Sequence, residues 1–173
     1  MKSFPACIET YKKQMKKGDI QVAYSGLMAF IISLRNYLHA KHPAFYVSGN
    51  FYQGYLDFSY FSFTPKALQK RRLRIAVVFI HETLAFKVWL GGLNKKVQAN
   101  YWEKIVEKGW NKYSIPKSIE GIDYIVESNL ATDPDFGHLK KLTNQLEKRI
   151  LTFANDAERY MSKLSPKCMA KSV

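Results

Sequence analysis

The sequence is poor in the residues that build disulfide frameworks, metal centres and membrane spans. Its 173 residues include only two cysteines, Cys7 and Cys168, which lie near opposite ends of the chain. This count argues against a disulfide framework and indicates a reducing cytoplasm. The four histidines show no metal-ligand spacing, so we expect no metal and no cofactor. The longest apolar run, residues 27–32, is far short of the ~20 residues that span a bilayer, and we expect no membrane contact.

Acidic residues are also scarce. Lysine and arginine together number 27, against 14 aspartate and glutamate residues, which gives a formal net charge of +13. A field of this sign attracts nucleic acids and phosphate ligands, although dispersed lysines are equally typical of an ordinary soluble protein. From the one dense cluster we expect weak, sequence-independent contact with duplex DNA that salt removes. This cluster supplies the nucleic-acid candidates, which are Lys66, Lys70, Arg71, Arg72 and Arg74.

Apolar residues make up 47% of the chain and aromatic residues 14%, which predicts one folded domain over 1–164 and a disordered tail over 165–173. Hydrophobic periodicity predicts an α+β fold, a mainly antiparallel sheet of three to four strands packed against helices, in the order α-α-β-β-β-α-β-α. Pro65 is expected to end the first strand, and 66–71 to form one helical turn. The helices are expected over 8–17, 19–41, 95–108 and 139–164, and the strands over 55–63, 73–81, 84–90 and 124–130.

The hairpin between the second and third strands can be registered from the sequence. If residues 82–83 form its turn, Phe79 pairs with Phe86, and the flanking pairs add further apolar side chains to the same face. A slip of one residue would mix polar and apolar side chains on both faces, so burial fixes this register. The same register places Lys87 and Trp89 together on the opposite face.

That opposite face supplies the main candidate site. If Asp57, in the first strand, shares this face, its carboxylate meets the Lys87 ammonium between aromatic walls. The alternative is a cross-strand salt bridge on a partly wet sheet face, with no ligand. Asn94, at the entrance of a helix, could add backbone N–H donors for an anion. The ligand-binding candidates are Tyr55, Asp57, Tyr60, His81, Lys87, Trp89 and Asn94.

A metal-dependent nuclease is the enzymatic alternative. Such enzymes place an acidic residue on one strand and an acidic-x-Lys triplet on another, and the carboxylates hold Mg²⁺. Asp57, Glu82 and Lys87 offer the same residue types. However, Glu82 and Lys87 lie five positions apart, and the predicted register puts Glu82 in the turn. We therefore favour a non-enzymatic binding protein over an active or decayed nuclease, and we predict no catalytic residue.

Several short motifs, mostly aromatic, run along the chain. They are Tyr46-Val47-Ser48-Gly49, Gly54-Tyr55-Leu56-Asp57, Tyr60-Phe61-Ser62-Phe63, Phe79-Ile80-His81-Glu82, Val88-Trp89-Leu90-Gly91-Gly92-Leu93-Asn94, Tyr101-Trp102 and Asp133-Pro134-Asp135-Phe136. With these motifs the chain resembles a family of small uncharacterised bacterial proteins, a domain of unknown function, over nearly its whole length. The resemblance implies a bacterial cytoplasmic protein and supplies no activity. From the candidate site on the sheet or at the helix entrance near Asn94, the leading hypothesis is a binding protein for a small anionic or aromatic ligand, or for a protein partner.

Overall fold

Two helices begin the chain in the computed structural model, which describes residues 2–164. The first, α1, spans Phe4–Lys17, and the second, α2, spans Asp19–Lys41. Gly18 separates them with a left-handed φ of 84°, a conformation that glycine adopts without strain. The boundary between the helices therefore lies where the sequence predicts it.

The chain divides into two compact units, one up to Tyr37 and the other from Leu38 onward. In the first unit, no residue of α1 is buried. The single domain over 1–164 stays a prediction, and the tail predicted over 165–173 lies outside the described residues.

The second unit is built on a sheet whose neighbouring strands are all antiparallel, in the order β1-β2-β3-β4-β5. The predicted α+β class and element order are confirmed, but the sheet has five strands rather than three or four. The missed strand is β1, whose three residues are too few to show an alternating pattern. The strands span Phe45–Val47 (β1), Phe58–Pro65 (β2), Leu73–Ile80 (β3), Ala85–Gly92 (β4) and Val126–Ala131 (β5).

Three further helices belong to this unit: α3 spans Lys66–Lys70, α4 spans Lys95–Lys108 and α5 spans Leu139–Ser162. The short helix between two strands and the two long helices are thus confirmed. Asn94 lies at the entrance of α4 as predicted. It caps the helix, because its side-chain oxygen accepts a hydrogen bond of 2.9 Å from the backbone N–H of Val97. None of the helices in residues 2–164 combines the length and the apolar character that crossing a membrane requires.

β2 and β4 each end two residues later than predicted. β2 continues through Pro65, which lies opposite Phe45 at the last position of the strand. Proline is tolerated there because α3 begins at the next residue and the ladder needs no further N–H. β4 continues through Gly91 and Gly92. A Cβ at Gly92 would lie 2.4 Å from the backbone nitrogen of Gln98, so only glycine allows α4 to pack this closely on the strand.

The hairpin register predicted from the sequence is confirmed. Phe79 lies opposite Phe86, and Val77 lies opposite Val88. These four side chains are at most 2% exposed, on the inner face of the sheet, which α4 and α5 cover. The other face of the same strands is called the open face below, because its side chains are only half-buried around Tyr60 and Trp89. The alternation of the strands therefore separates the core from the surface on which the candidate site lies.

Candidate functional site

Five aromatic side chains lie together on the open face, and we call them the aromatic platform. Phe58 projects from β2 and Trp89 from β4, and their ring centroids lie 5.3 Å apart. Tyr52, from the loop before β2, lies 5.2 Å from Tyr60. Tyr124, from the loop before β5, lies 5.0 Å from Trp89. These separations are typical of interacting aromatic pairs, so the platform is a connected surface.

The loop before β2 folds back so that Tyr52 can join the platform. The backbones of Tyr52 and Tyr60 exchange two N–H···O hydrogen bonds of 2.9 Å, which attach the loop to β2. The loop turns at Gly54, where φ is 73° and a Cβ would collide with the carbonyl oxygen of Phe58. Glycine is required there both for the left-handed backbone and for the close approach.

A cavity of about 240 Å³ opens within the platform. Ala76 of β3 lies between Ser62 of β2 and Trp89 of β4. Its small side chain, next to the large aromatic rings, leaves the depression. The aromatic lining comes from Tyr52, Phe58, Tyr60 and Trp89, and the charged lining from Arg74 and Asp123.

The two charged side chains at the cavity differ in whether the protein already pairs them. The Asp123 carboxylate accepts a hydrogen bond of 2.9 Å from the Lys95 Nζ, so its charge is compensated. Arg74 is half-buried, and within residues 2–164 its guanidinium makes no hydrogen bond or ion pair. A guanidinium is a rigid fork of five donors that matches carboxylates and phosphates. The cavity therefore presents, beside aromatic rings and the paired Asp123 carboxylate, a guanidinium that has no partner within residues 2–164.

Lys87 is paired by Glu127 and not by Asp57, which corrects the predicted charged pair. The Lys87 Nζ donates to Glu127 Oε2 at 3.1 Å, and the Trp89 Nε1 donates to the same oxygen at 3.2 Å. Tyr60, rather than Asp57, shares the face of Lys87, because Tyr60 and Lys87 flank the same residue of β3 and side chains alternate along a strand. Glu127 thus fixes both the ammonium and the indole at the margin of the platform.

Two phenols of the platform are held in the protonated form. Desolvation raises the pKa of Tyr124, and the nearby Glu127 carboxylate raises it further. Desolvation also raises the pKa of Tyr52, and the charge of Asp57 adds to the effect. Both phenols are therefore harder to ionise than an ordinary tyrosine.

Asp57, Ser59 and His81 form a separate cluster beside the β3–β4 turn. Asp57 Oδ1 accepts a hydrogen bond of 2.9 Å from the Tyr55 backbone N–H, which is the main reason that the pKa of Asp57 is lowered. The His81 Nε2 lies 2.9 Å from the Ser59 Oγ, whose hydroxyl donates to the backbone carbonyl of Gln53. These contacts tie the loop before β2 to the β3–β4 hairpin.

Among the predicted ligand-binding residues, the open face brings together Tyr60, Lys87 and Trp89. Tyr55 is 91% exposed in the loop before β2, and the side chain of Asn94 is used in capping α4. These two residues therefore lie outside the cavity on the open face.

The residues of the nuclease alternative are distributed over different environments. Glu82 lies in the four-residue turn between β3 and β4, as the register predicts, and the Lys87 ammonium is held by Glu127. Over residues 2–164, no group of three or more histidine, cysteine, aspartate or glutamate side chains is placed to hold a metal ion. The geometry thus gives the nuclease hypothesis no support.

The five residues of the basic cluster differ in exposure and in contacts. Lys66 and Lys70 are exposed on α3, whereas the Arg71 Nη1 donates to a backbone carbonyl just after α5 at 3.2 Å. Arg72 and Arg74 line a second cavity. The five cations therefore lie in different environments, and weak duplex binding stays a prediction.

The second cavity, of about 340 Å³, adjoins the first because Arg74 lines both of them. It lies between β2, α3 and the start of β3. Besides the two arginines, its polar lining includes Tyr46, Ser62 and Gln69, and among the described residues no carboxylate lines it. The open face therefore carries an aromatic cavity and a basic cavity side by side.

A larger groove of about 600 Å³ runs between β5 and α5. It is lined mostly by amide and hydroxyl side chains together with Lys148 and Arg149. The Arg149 Nη1 already donates to the Leu130 carbonyl at 2.7 Å. Since residues 2–164 give this groove neither a ring platform nor a free guanidinium, we place the candidate site on the open face.

Comparison with known proteins shows a family but no activity. Residues 4–161 match the model of a family described as a domain of unknown function (DUF7000). The chain therefore belongs to this family, and the resemblance to proteins of unknown function is confirmed. No curated protein and no solved structure matches the chain.

Proposed function

We propose that this member of the DUF7000 family binds a small molecule that carries a planar ring and an anionic group, on the open face of its sheet. The observation that carries the proposal is the Arg74 guanidinium, which has no partner within residues 2–164 and lies at a cavity walled by four aromatic side chains. The rings supply apolar contact and stacking for a planar ligand. The guanidinium supplies charge-assisted hydrogen bonds to its anionic group.

The cavity volume and the fixed walls support a small ligand. About 240 Å³ is below the ~300–1,000 Å³ that drug-sized molecules occupy, so one or two fused rings suit it. Glu127 holds the Trp89 indole by a hydrogen bond of 3.2 Å, and backbone pairing holds Tyr52. Because these walls are fixed before the ligand arrives, binding loses little side-chain entropy.

We propose binding rather than catalysis because the carboxylates near the cavity are already engaged. Asp123 is paired with Lys95, and Glu127 with Lys87. A general acid or base needs a group that can exchange a proton with the ligand. A bacterial origin and a cytoplasmic location stay predictions from the sequence.

Calorimetric titration with 2-naphthoate and with its neutral analogue 2-naphthamide tests the proposal. We expect the naphthoate to bind more tightly, because only the anion engages Arg74. Arg74→Gln should weaken naphthoate binding by about tenfold or more, which is the effect of losing hydrogen bonds to a charged group, and should leave naphthamide unchanged. Trp89→Leu should weaken both compounds.

Lys140→Gln is the matched control, since Lys140 is an exposed cation at the start of α5, away from the cavity. It changes the net charge as Arg74→Gln does and should leave both affinities as they are. Equal losses in the two charge variants would show that only the overall field attracts the anion. No binding of either naphthalene compound would overturn the proposal.

A further inference from the structure

The two cavities of the open face have different chemistries and share one residue. The first is walled by aromatic rings, and the second is lined by cations and hydrogen-bond donors. Arg74 lines both, so a group bound by its guanidinium lies at their junction. A ligand that extends through both cavities must therefore carry an anion between a ring and a further anionic part.

The donors of the second cavity are available to a ligand. The hydroxyl of Thr64 is used, because it accepts from the backbone N–H of Ile75 at 2.9 Å and donates to its carbonyl. By contrast, within residues 2–164 no partner engages the side chains of Arg72, Gln69 and Ser62. A set of guanidinium, amide and hydroxyl donors without a carboxylate is typical of sites that take phosphate.

The position of Arg72 is fixed although its side chain is exposed. Its backbone N–H donates to the Gln69 carbonyl at 2.8 Å, and its own carbonyl accepts from the Leu93 N–H at 2.8 Å. The backbone φ of Arg72 is 60°, a left-handed conformation that residues other than glycine rarely adopt. These two hydrogen bonds hold the strained residue at the second cavity.

We propose that the ligand is a nucleoside diphosphate. The base lies in the aromatic cavity, the first phosphate meets Arg74 at the junction, and the second phosphate meets Arg72 in the basic cavity. Aromatic side chains bind bases of any kind by stacking, so the platform sets no base identity. The inference rests on the proposed function, since it uses the same aromatic cavity and the same arginine.

Calorimetric titrations with adenosine, AMP, ADP, UDP and pyrophosphate test the inference. We expect affinity to rise about tenfold from adenosine to AMP and again from AMP to ADP, since each phosphate adds a charge-assisted contact. UDP should bind within a few-fold of ADP. Pyrophosphate, which has no ring, should bind much more weakly than ADP.

Two arginine variants assign the phosphates. Arg72→Gln should remove the preference for ADP over AMP and leave AMP binding unchanged. Arg74→Gln should weaken AMP and ADP alike, while Lys140→Gln should change neither. Circular dichroism and the unfolding midpoint of each variant show that the fold is retained.

The outcomes separate this inference from the proposed function. If 2-naphthoate binds through Arg74 but no nucleotide does, the nucleotide assignment is overturned and the proposed function stands. If pyrophosphate binds as tightly as ADP, the base does not contribute and the inference fails. Binding of a single-stranded oligonucleotide much more tightly than ADP would overturn the diphosphate in favour of a polymer.

Discussion

The two faces of the sheet are formed by the same strands but differ in how deeply their side chains are buried and in which residue types they carry. On the inner face, Phe79 and Phe86 are 1% and 0% exposed, and their ring centroids lie 4.9 Å apart. On the open face, Tyr60 and Trp89 are half-buried and keep a polar atom on each ring. Tyrosine and tryptophan suit a surface that is apolar and wet at once. The inner face therefore supplies the core, and the open face is the surface on which we propose that a ligand binds.

Truncation of one ring on each face should show this difference most clearly. We expect Phe86→Ala to lower the free energy of unfolding by about 3–5 kcal/mol, because it leaves a cavity in the core. Trp89→Ala should cost well under half of that, since solvent already reaches the ring and fills the space. Urea unfolding of both variants and of the wild type measures the two losses. A Phe86→Ala midpoint close to that of the wild type would contradict the assignment of the inner face.

The inner face was predictable from the sequence because burial acts on every second residue. The alternation through Phe79 and Phe86 allowed one register only, and the structure has that register. The open face was not predictable to the same extent. Two of its platform rings, Tyr52 and Tyr124, come from loops whose paths depend on tertiary contacts.

The ion-pair partner of Lys87 is a contact that the local sequence pattern does not predict. β2 begins at Phe58, so Asp57 precedes the ladder, and its carboxylate turns to its own loop. The true partner, Glu127, comes from β5, whose position beside β4 was not predicted. The alternation of side chains in β5 indicates which of its residues share a face with Glu127. Which residue of β4 lies beside Glu127 depends on the register between β4 and β5, and that register is set by a long connection and a bulge. Arg74 was predicted from the sequence only as part of the basic cluster. Its position on the open face follows from the alternation of side chains that also places Trp89 there.

The stability of the protein should depend on pH through His81, which lies at the margin of the inner face. Desolvation lowers the pKa of His81 below its ordinary value of 6.5, so the folded state binds this proton less readily than the unfolded state. The contribution of His81 is therefore complete above 6.5 and is lost as pH falls from there through the folded-state pKa. We expect the wild type to lose stability over this window more steeply than His81→Gln, which cannot titrate.

Unfolding midpoints measured from neutral to mildly acidic pH check this expectation. His39→Gln is the matched control, because His39 is exposed on α2, and it should keep the wild-type slope. His42, which contacts Glu147, is present in all three proteins, so its contribution cancels in the comparison. Equal slopes for the wild type and His81→Gln would contradict the burial of the imidazole.

The smallest effect on stability should come from a substitution on the open face. Glu127→Gln keeps the shape of the side chain and its acceptor for the Trp89 indole, but removes the charge that faces Lys87 and Tyr124. We expect a stability loss of about 1 kcal/mol or less, as for other partly exposed ion pairs. The pKa of Tyr124 should fall, because the Glu127 charge no longer opposes ionisation, and should stay above its ordinary value of 10.0, because desolvation is the larger cause. Titration of ¹³C-labelled tyrosine by NMR measures the shift, with the exposed Glu107→Gln as control. A Tyr124 pKa unchanged in Glu127→Gln would mean that the carboxylate does not act on the phenol, and the margin of the platform would then need another explanation.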